Sequence, residues 1–482
     1  MELDLEQARR RAKERLRAAR RGELVLREDR EPRLADAQRA VANELGFPSW
    51  PALVAHAETA GGDREERRAR LVAHALGGRA DRAEALLAAD PALARSGLDV
   101  ALVLGDAEAV AAALARDAGL VSRELPGPGR KPLSCACHSA FLAPGQARAP
   151  GVRRVVALLL DAGADPNETF DNEYGAMPVL YGAAGVAHDP HTTRLLLDRG
   201  ADPDDGESVY HAVGARDTTC LEILLERGAA VRGTNALGNA QGRPDMQRLL
   251  LERGDLRPAD PELRDSLLWA CGEESARLLI EHGADLEARD RDGLTPYSNA
   301  ARRGDATLMA VLAEAGALTD ADPVAGWLGR LVRGETATRP PGAVLRRADA
   351  ELLPMFAGAG RDDVVERLLE AGVPLHSRGI DEGTALHYAG MWGRGSTVEL
   401  LLARGAEPNL IAGPPERPAN ALGWTAFGSR ALDGDGERVE GYVAAARALL
   451  AAGASVTAGM AEIAADDVAV LLEEAEPRDE RL

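Results

Sequence analysis

Apolar residues recur along this chain in short blocks at helical spacing, and most of the blocks end in the same way. The ending is Leu-Leu-x-x-Gly-Ala, with Leu159, Leu160, Gly163 and Ala164 as one copy. Others carry Leu196 to Ala201, Leu224 to Ala229, Leu279 to Ala284, Leu401 to Ala406 and Leu449 to Ala454. Within a block, as at Val364, Val365, Leu368 and Leu369, the apolar side chains fall on one face of a helix. The glycine stands just past the helix end, where the chain turns left-handed and a Cβ costs energy. Asp165-Pro166-Asn167, Asp202-Pro203-Asp204 and Glu407-Pro408-Asn409 then supply turn chemistry. A second signature, Thr295-Pro296-Tyr297 and Thr384 through Ala389, opens the other helix of a unit. Its threonine caps exposed amides, and proline is tolerated in the first turn. Small pairs such as Ala183-Ala184 and Ala300-Ala301 let neighbouring units approach closely. Gly163 to Gly200 is 37 residues, Gly200 to Gly228 is 28, and Gly283 to Gly316 and Gly372 to Gly405 are each 33. A period near that value predicts a stack of helical hairpins rather than one globular core.

Asp290 through Asp305, running on to Leu312-Ala313-Glu314-Ala315-Gly316-Ala317, resembles the ankyrin family, and Gly383 through Asn409 is the next best match. The resemblance covers roughly residues 64–475. It implies an all-α, ankyrin-type α-solenoid of about 12–13 stacked helix-turn-helix repeats with short β-hairpin or loop tips, preceded by an N-terminal helical cap. It is specific for fold and weakly specific for function.

The expected organisation is an N-terminal helical segment over 1–62, a repeat array over 63–476 and a frayed tail over 477–482. Residues 8–21 hold eight Arg or Lys and one Glu, a basic face that either docks nucleic acid or an acidic partner, or is a solvated face or one packed on the acidic array. Residues 34–58 form a second helical element whose Phe47 and Trp50 are expected to seal the first repeat, with Gly61-Gly62-Asp63 as a hinge. Degenerate repeats fall at 66–125 and 323–347, the latter interrupted by Pro340-Pro341-Gly342. Two long loops, at 126–150 and 413–418, are expected on one edge, either as places where binding differs between related arrays or as tolerated drift.

The net charge of −20 and a pI near 5.0 argue against nucleic acid or an anionic membrane as the main partner. Lysine is nearly absent, standing only at Lys13 and Lys131, a composition expected of a GC-rich bacterial genome. Four cysteines make no disulfide framework in a chain of this length. The start of the chain has no signal-peptide core, and no apolar run is long enough to span a bilayer, so the expected location is cytoplasmic and the expected state monomeric.

Little catalytic chemistry is legible. In Cys135-Ala136-Cys137-His138 the two sulfurs point apart on a helix, unlike a zinc pair. His188 and His191 flank Asp189 and Pro190 in a loop between helices. Asp433-Gly434-Asp435-Gly436-Glu437 is similar to a calcium loop but lacks its ligand pattern. No phosphate loop, His-Glu-x-x-His or Gly-x-Ser-x-Gly occurs. No catalytic residue, metal or cofactor is expected. His387 occupies the place where the family's imidazole bridges backbone groups between units; Trp269 and Ser298 stand there in other repeats.

The resemblance implies a non-catalytic scaffold that binds a protein partner through its concave face, built from hairpin tips and first helices. Carried over residue by residue, the candidates are Glu173, Tyr174 and Tyr181; Arg291, Asp292, Leu294, Arg302 and Arg303; and Asp381, Glu382, Met391 and Trp392. Trp392 is the leading anchor, because tryptophan concentrates binding energy, unless it fills a gap against the 413–418 loop. A tip residue is missing before Thr384, and Met177 replaces the capping threonine in the unit at 175–205. Two alternatives remain: a hydrolase-like or other enzyme with a site near 126–150, and a nucleic-acid-docking N-terminal arm regulated by the acidic array.

Overall fold

The computed structural model describes residues 5–26, 34–47, 49–50, 53, 63–127, 129–258, 260–319, 322–335, 337, 351–379, 381–413, 418–432, 438–457 and 459–475. The expected hinge glycines Gly61 and Gly62, Pro340-Pro341-Gly342, most of the 413–418 loop, Asp433 through Glu437 and the tail over 477–482 lie outside the described residues.

The chain folds as an all-α solenoid, and its residues group into two compact units. One holds residues 51–285 and the other residues 286–482 together with residues 6–50. Both are built from the same part. In the first unit the helix Ala149–Asp161 ends as the Leu-Leu-x-x-Gly-Ala pattern predicts. The Ala164 amide donates to the Leu159 carbonyl at 2.9 Å and that of Gly163 to Leu160 at 3.1 Å, while Gly163 takes φ +93°. This is the paired closure that ends a helix with a left-handed residue. It recurs at Ala201 to Leu196, Ala229 to Leu224 and Ala284 to Leu279, and in the second unit at Ala406 to Leu401 and Ala454 to Leu449. The Leu pairs face inward, with Leu159, Leu196, Leu224, Leu279, Leu401 and Leu449 fully buried. The turn asparagines do more than end helices. Asn167 Nδ2 donates to the Gly200 carbonyl at 2.9 Å and its Oδ1 accepts from the Asp202 amide at 2.7 Å, so each turn holds the next. Asn409 makes the same pair of bonds to Gly453 and Ser455.

In the second unit, His387 is fully buried at the second signature. Its Nε2 lies 3.0 Å from the Leu410 carbonyl, which only accepts, so that nitrogen carries the proton. Its Nδ1 accepts from the Thr384 hydroxyl at 2.8 Å. Burial pushes its pKa down to about 4, which keeps this bridging imidazole neutral.

The N-terminal segment departs from the expected placement. Within it, residues 6–50 group with residues 286–482 and not with the repeats that follow in sequence. Lys13 and Arg17 pair with Glu473 on the last helix, Asp466–Ala475, and the Leu34 amide donates to Asp467 Oδ1 at 2.8 Å. Arg11 and Arg15 pair with Glu44. Phe47 and Trp50 are half-buried and fall in this same unit. The physical reason is that the helix Leu5–Arg20 buries Ala8, Ala12 and Leu16 on one face while its cations meet Glu473 of the final helix. Among the described residues no helix is long and apolar enough to cross a membrane.

Candidate functional site

The first unit carries a two-stranded hairpin, β1 (Thr169–Asn172) and β2 (Gly175–Pro178), paired with Phe170 opposite Met177. Glu173 and Tyr174 form its apex, and Tyr174 is 83% exposed. The next helix, Val179–Tyr181, widens at once into a π-helical turn, Gly182–Val186. Such turns are rare and frequent at functional sites. Here Gly182 and Gly185 let neighbouring repeats close on the turn: a Cβ on Gly182 would stand 2.7 Å from the His138 ring, and one on Gly185 would stand 2.6 Å from His211 Cβ.

Around this turn the rings of successive units form a continuous row. Phe170 and His138 meet edge-on at 4.8 Å, His138 and Tyr181 at 5.8 Å, Tyr181 and His211 at 4.6 Å, and His211 and Tyr210 at 4.8 Å. Arg130 places its guanidinium 3.5 Å from the Phe170 ring centre. Partial burial holds the Arg130 pKa below its usual value. His138 is buried, and burial pushes its pKa down to about 3. Its Nδ1 donates to the Ser134 carbonyl at 2.9 Å, which leaves Nε2 as a covered acceptor without a partner.

Glu168 lies beside this row, with its carboxylate 2% exposed. It accepts from the Ser134 amide at 3.0 Å and faces Lys131 Nζ at 3.9 Å. Burial pushes its pKa up to about 7 from the ordinary 4.5. A carboxyl whose folded value is raised favours the fold fully below its unfolded value, and that contribution is lost as pH rises through the folded value. The helix Pro132–Cys137 should therefore lose on the order of 2 kcal/mol of local stability between pH 4.5 and 8. Hydrogen exchange of this helix in Glu168→Gln is expected to flatten that dependence. Identical pH profiles for the variant and the parent protein would reject this origin.

The expected partner residues divide into outward and inward groups. Glu173, Tyr174, Arg291, Asp292, Asp381 and Glu382 are exposed at the tips, and Tyr181 and Arg303 are half-buried. The turn before Thr384 closes despite its missing residue, because Glu382 takes a left-handed φ of +59° and the Gly379 amide donates to the Gly383 carbonyl at 2.8 Å. Leu294 is a core residue. Arg302 turns inward and pairs with Asp322 at 3.1 Å, which removes it from a partner's reach. Met391 is half-buried, and its carbonyl accepts from Tyr442 Oη at 3.0 Å. Trp392 is half-buried, with the Arg438 guanidinium 5.6 Å from its ring centre and its indole against Gly358. It packs between neighbouring repeats.

Sequence reasoning missed Arg130, Phe170, His138 and His211. One signal was available: in a chain with 3% aromatics, Tyr181 and Tyr210 stand one repeat apart. Trp269 continues that series in sequence and is 55% exposed.

The residues screened for chemistry have structural surroundings. Cys135 and Cys137 are buried; burial pushes the Cys135 thiol up to about 12 and raises that of Cys137 as well. Neither is a thiolate at neutral pH. Asp189, between His188 and His191, is fully buried and chelated by Arg153, with Nη2 to Oδ2 at 2.5 Å. Among the described residues no group of three or more His, Cys, Asp or Glu is arranged to hold a metal ion. A cleft of about 310 Å³ opens between the helix Arg64–Leu76, Asp99 and the turn carrying Pro126, Gly127 and Arg130. A second, of about 320 Å³, lies at the hairpin base beside Asn167, Asp202 and Asp205.

The family model described as ankyrin repeats (many copies) matches residues 353–402. An ankyrin repeat and KH domain-containing protein of Caenorhabditis briggsae is 28% identical over 212 residues, covering 39% of this chain. The chain spans only 8% of that relative's length. The crystal structure of the human ASB11 ankyrin repeat domain is 23% identical and covers 50% of this chain and 98% of that one, with a TM-score of 0.27.

Proposed function

Because this chain belongs to the ankyrin repeat family, we propose that it is a non-catalytic scaffold that binds a protein partner through the concave face formed by hairpin tips and first helices. The observation that carries this reading is the row of rings from Phe170 through Tyr210, beside a hairpin apex that leaves Tyr174 almost fully in water. Exposed tyrosines offer contact area at low entropic cost and concentrate at binding hot spots. The outward tips Arg291, Asp292, Asp381 and Glu382 would extend the same kind of contact in the second unit. The protein is expected to act as a cytoplasmic monomer, with no cofactor.

Neither alternative draws comparable support. Near 126–150 the thiols are buried and protonated, so the only soft nucleophiles there are silent. On the N-terminal helix, Arg11, Lys13, Arg15 and Arg17 already face carboxylates, which leaves less charge for phosphates.

The test is affinity for the partner captured by the full chain, measured by calorimetry. Tyr174→Ala with Tyr181→Ala is expected to weaken binding by at least tenfold, about 1.4 kcal/mol. Glu226→Ala, on the exposed side of a second helix, should leave it unchanged. Equal binding by all three proteins, each folded by circular dichroism, would reject the assigned face.

A further inference from the structure

Arg130 is an uncommitted cation. It closes the turn Leu125–Arg130, where the Leu125 amide donates to its carbonyl at 2.9 Å, and its guanidinium rests on Phe170. Among the described residues no carboxylate pairs with it, and its Nη1 is covered without a hydrogen bond. Glu124, on the same turn, is exposed and does not pair with it, and the more buried carboxylates nearby are already engaged. Asp99 and Glu65 are held by Arg68 at 2.7 and 3.0 Å, Glu168 by Lys131 and the Ser134 amide, and Asp189 by Arg153. The whole chain carries 77 acidic and 57 basic residues, so a half-buried arginine with no acid opposite it stands out. A half-buried guanidinium with no acid opposite it lacks electrostatic compensation, and a carboxylate arriving where Arg130 lines the cleft supplies it.

Arg130 also lines the 310 Å³ cleft. Val72, Leu76 and Pro126 supply the apolar part of that cleft's lining, and Glu65, Arg68 and Asp99 its other charged part. Its volume is at the small end for a ligand pocket and suits one or two side chains. We infer that this cleft receives an acidic side chain of a partner peptide at Arg130, with a neighbouring apolar residue of that peptide seated on Val72 and Leu76. The inference rests on the protein-binding reading above and names the chemistry of the partner. Charge complementarity selects the occupant. Arg68 is neutralised by two acids, so Arg130 is the free positive end, and the lining carboxylates repel a second negative charge. A phosphate dianion would meet one free guanidinium and two carboxylates, whereas a single carboxylate matches the planar fork in charge and shape.

The probe is a displayed library of random 12-residue peptides, selected on the immobilised full chain, with affinities then measured for synthetic winners. Winners are expected to share an Asp or Glu next to an apolar residue. Arg130→Gln, or the Asn or Gln version of the peptide, should weaken them about tenfold or more. Glu65→Gln, an exposed and mild change, should strengthen them about twofold, a gain that misfolding does not produce. Winners with no shared acid, or winners indifferent to Arg130→Gln, would overturn the inference. If those same winners are lost on Tyr174→Ala with Tyr181→Ala, the wider face assignment stands while the Arg130 site falls. Winners that ignore all of these variants would overturn both.

Discussion

Asp189→Ala is expected to destabilise the first unit by about 3–5 kcal/mol. The carboxylate is 0% exposed and fills two roles. It chelates Arg153 through Nε at 3.1 and 3.2 Å and Nη2 at 2.5 Å, which ties the helix Ala149–Asp161 to the next repeat. It also caps the helix Pro190–Asp198 by accepting from the Thr192 amide at 2.8 Å. Alanine strips the cap, worth about 1 kcal/mol, and leaves a half-buried guanidinium unpaired. Asp189→Asn keeps the cap and loses the ion pair, so it should fall between the two. Urea unfolding followed by hydrogen exchange over residues 149–198 would measure this. A loss under about 1 kcal/mol in Asp189→Ala would show that Arg153 finds another partner or water at little cost.

Gly428→Ala is the second large effect, and helix propensity predicts the wrong sign for it. In the helix Ala421–Ala431 an ordinary Gly-to-Ala change stabilises by about 1 kcal/mol. Here the added Cβ would stand 2.0 Å from the Met391 carbonyl oxygen, 2.8 Å from its carbon and 3.0 Å from its Cα. All three are backbone atoms, so no side chain can swing aside. Nearby, a Cβ on Gly441 would stand 2.1 Å from the Gly393 carbonyl oxygen. Tyr442 Oη holds the Met391 carbonyl in place at 3.0 Å. The repeats around residues 391 and 428 thus pack backbone against helix, and separating them forfeits buried contacts on both sides. The expected loss is about 3 kcal/mol. Because repeat arrays respond through neighbours, exchange should rise first over residues 385–403 and 421–451. A stabilised variant would contradict this packing.

The parts of the fold that follow from local chemistry were legible in the sequence. Each Leu-Leu-x-x-Gly-Ala ending closes with the left-handed glycine its spacing demands, and His387 bridges Thr384 and Leu410 as its motif implies. What escaped depends on residues far apart in the chain. The contact of Leu34 with Asp467 has no periodic signature, and a basic helix does not announce which acids it will meet. Arg302 reads as a surface residue beside Arg303 until Asp322 of the next repeat draws it inward. Trp392 reads equally as an anchor or a gap-filler, and its half-buried seat against Gly358, with the Arg438 guanidinium 5.6 Å from its ring centre, depends on neighbouring repeats. The tips at Tyr174 and Glu382 were legible because turn residues are local. The row of rings was not, since Phe170, His138, Tyr181 and His211 come from different elements and meet only once the repeats stack.

The most direct test of the protein-binding face is hydrogen–deuterium exchange on the full chain, free and saturated with its captured partner. Protection concentrated over residues 125–130, 169–181 and 207–211 is the predicted result. Protection confined to second helices such as Thr219–Glu226, or to the N-terminal helix Leu5–Arg20, with those segments unchanged, would contradict it.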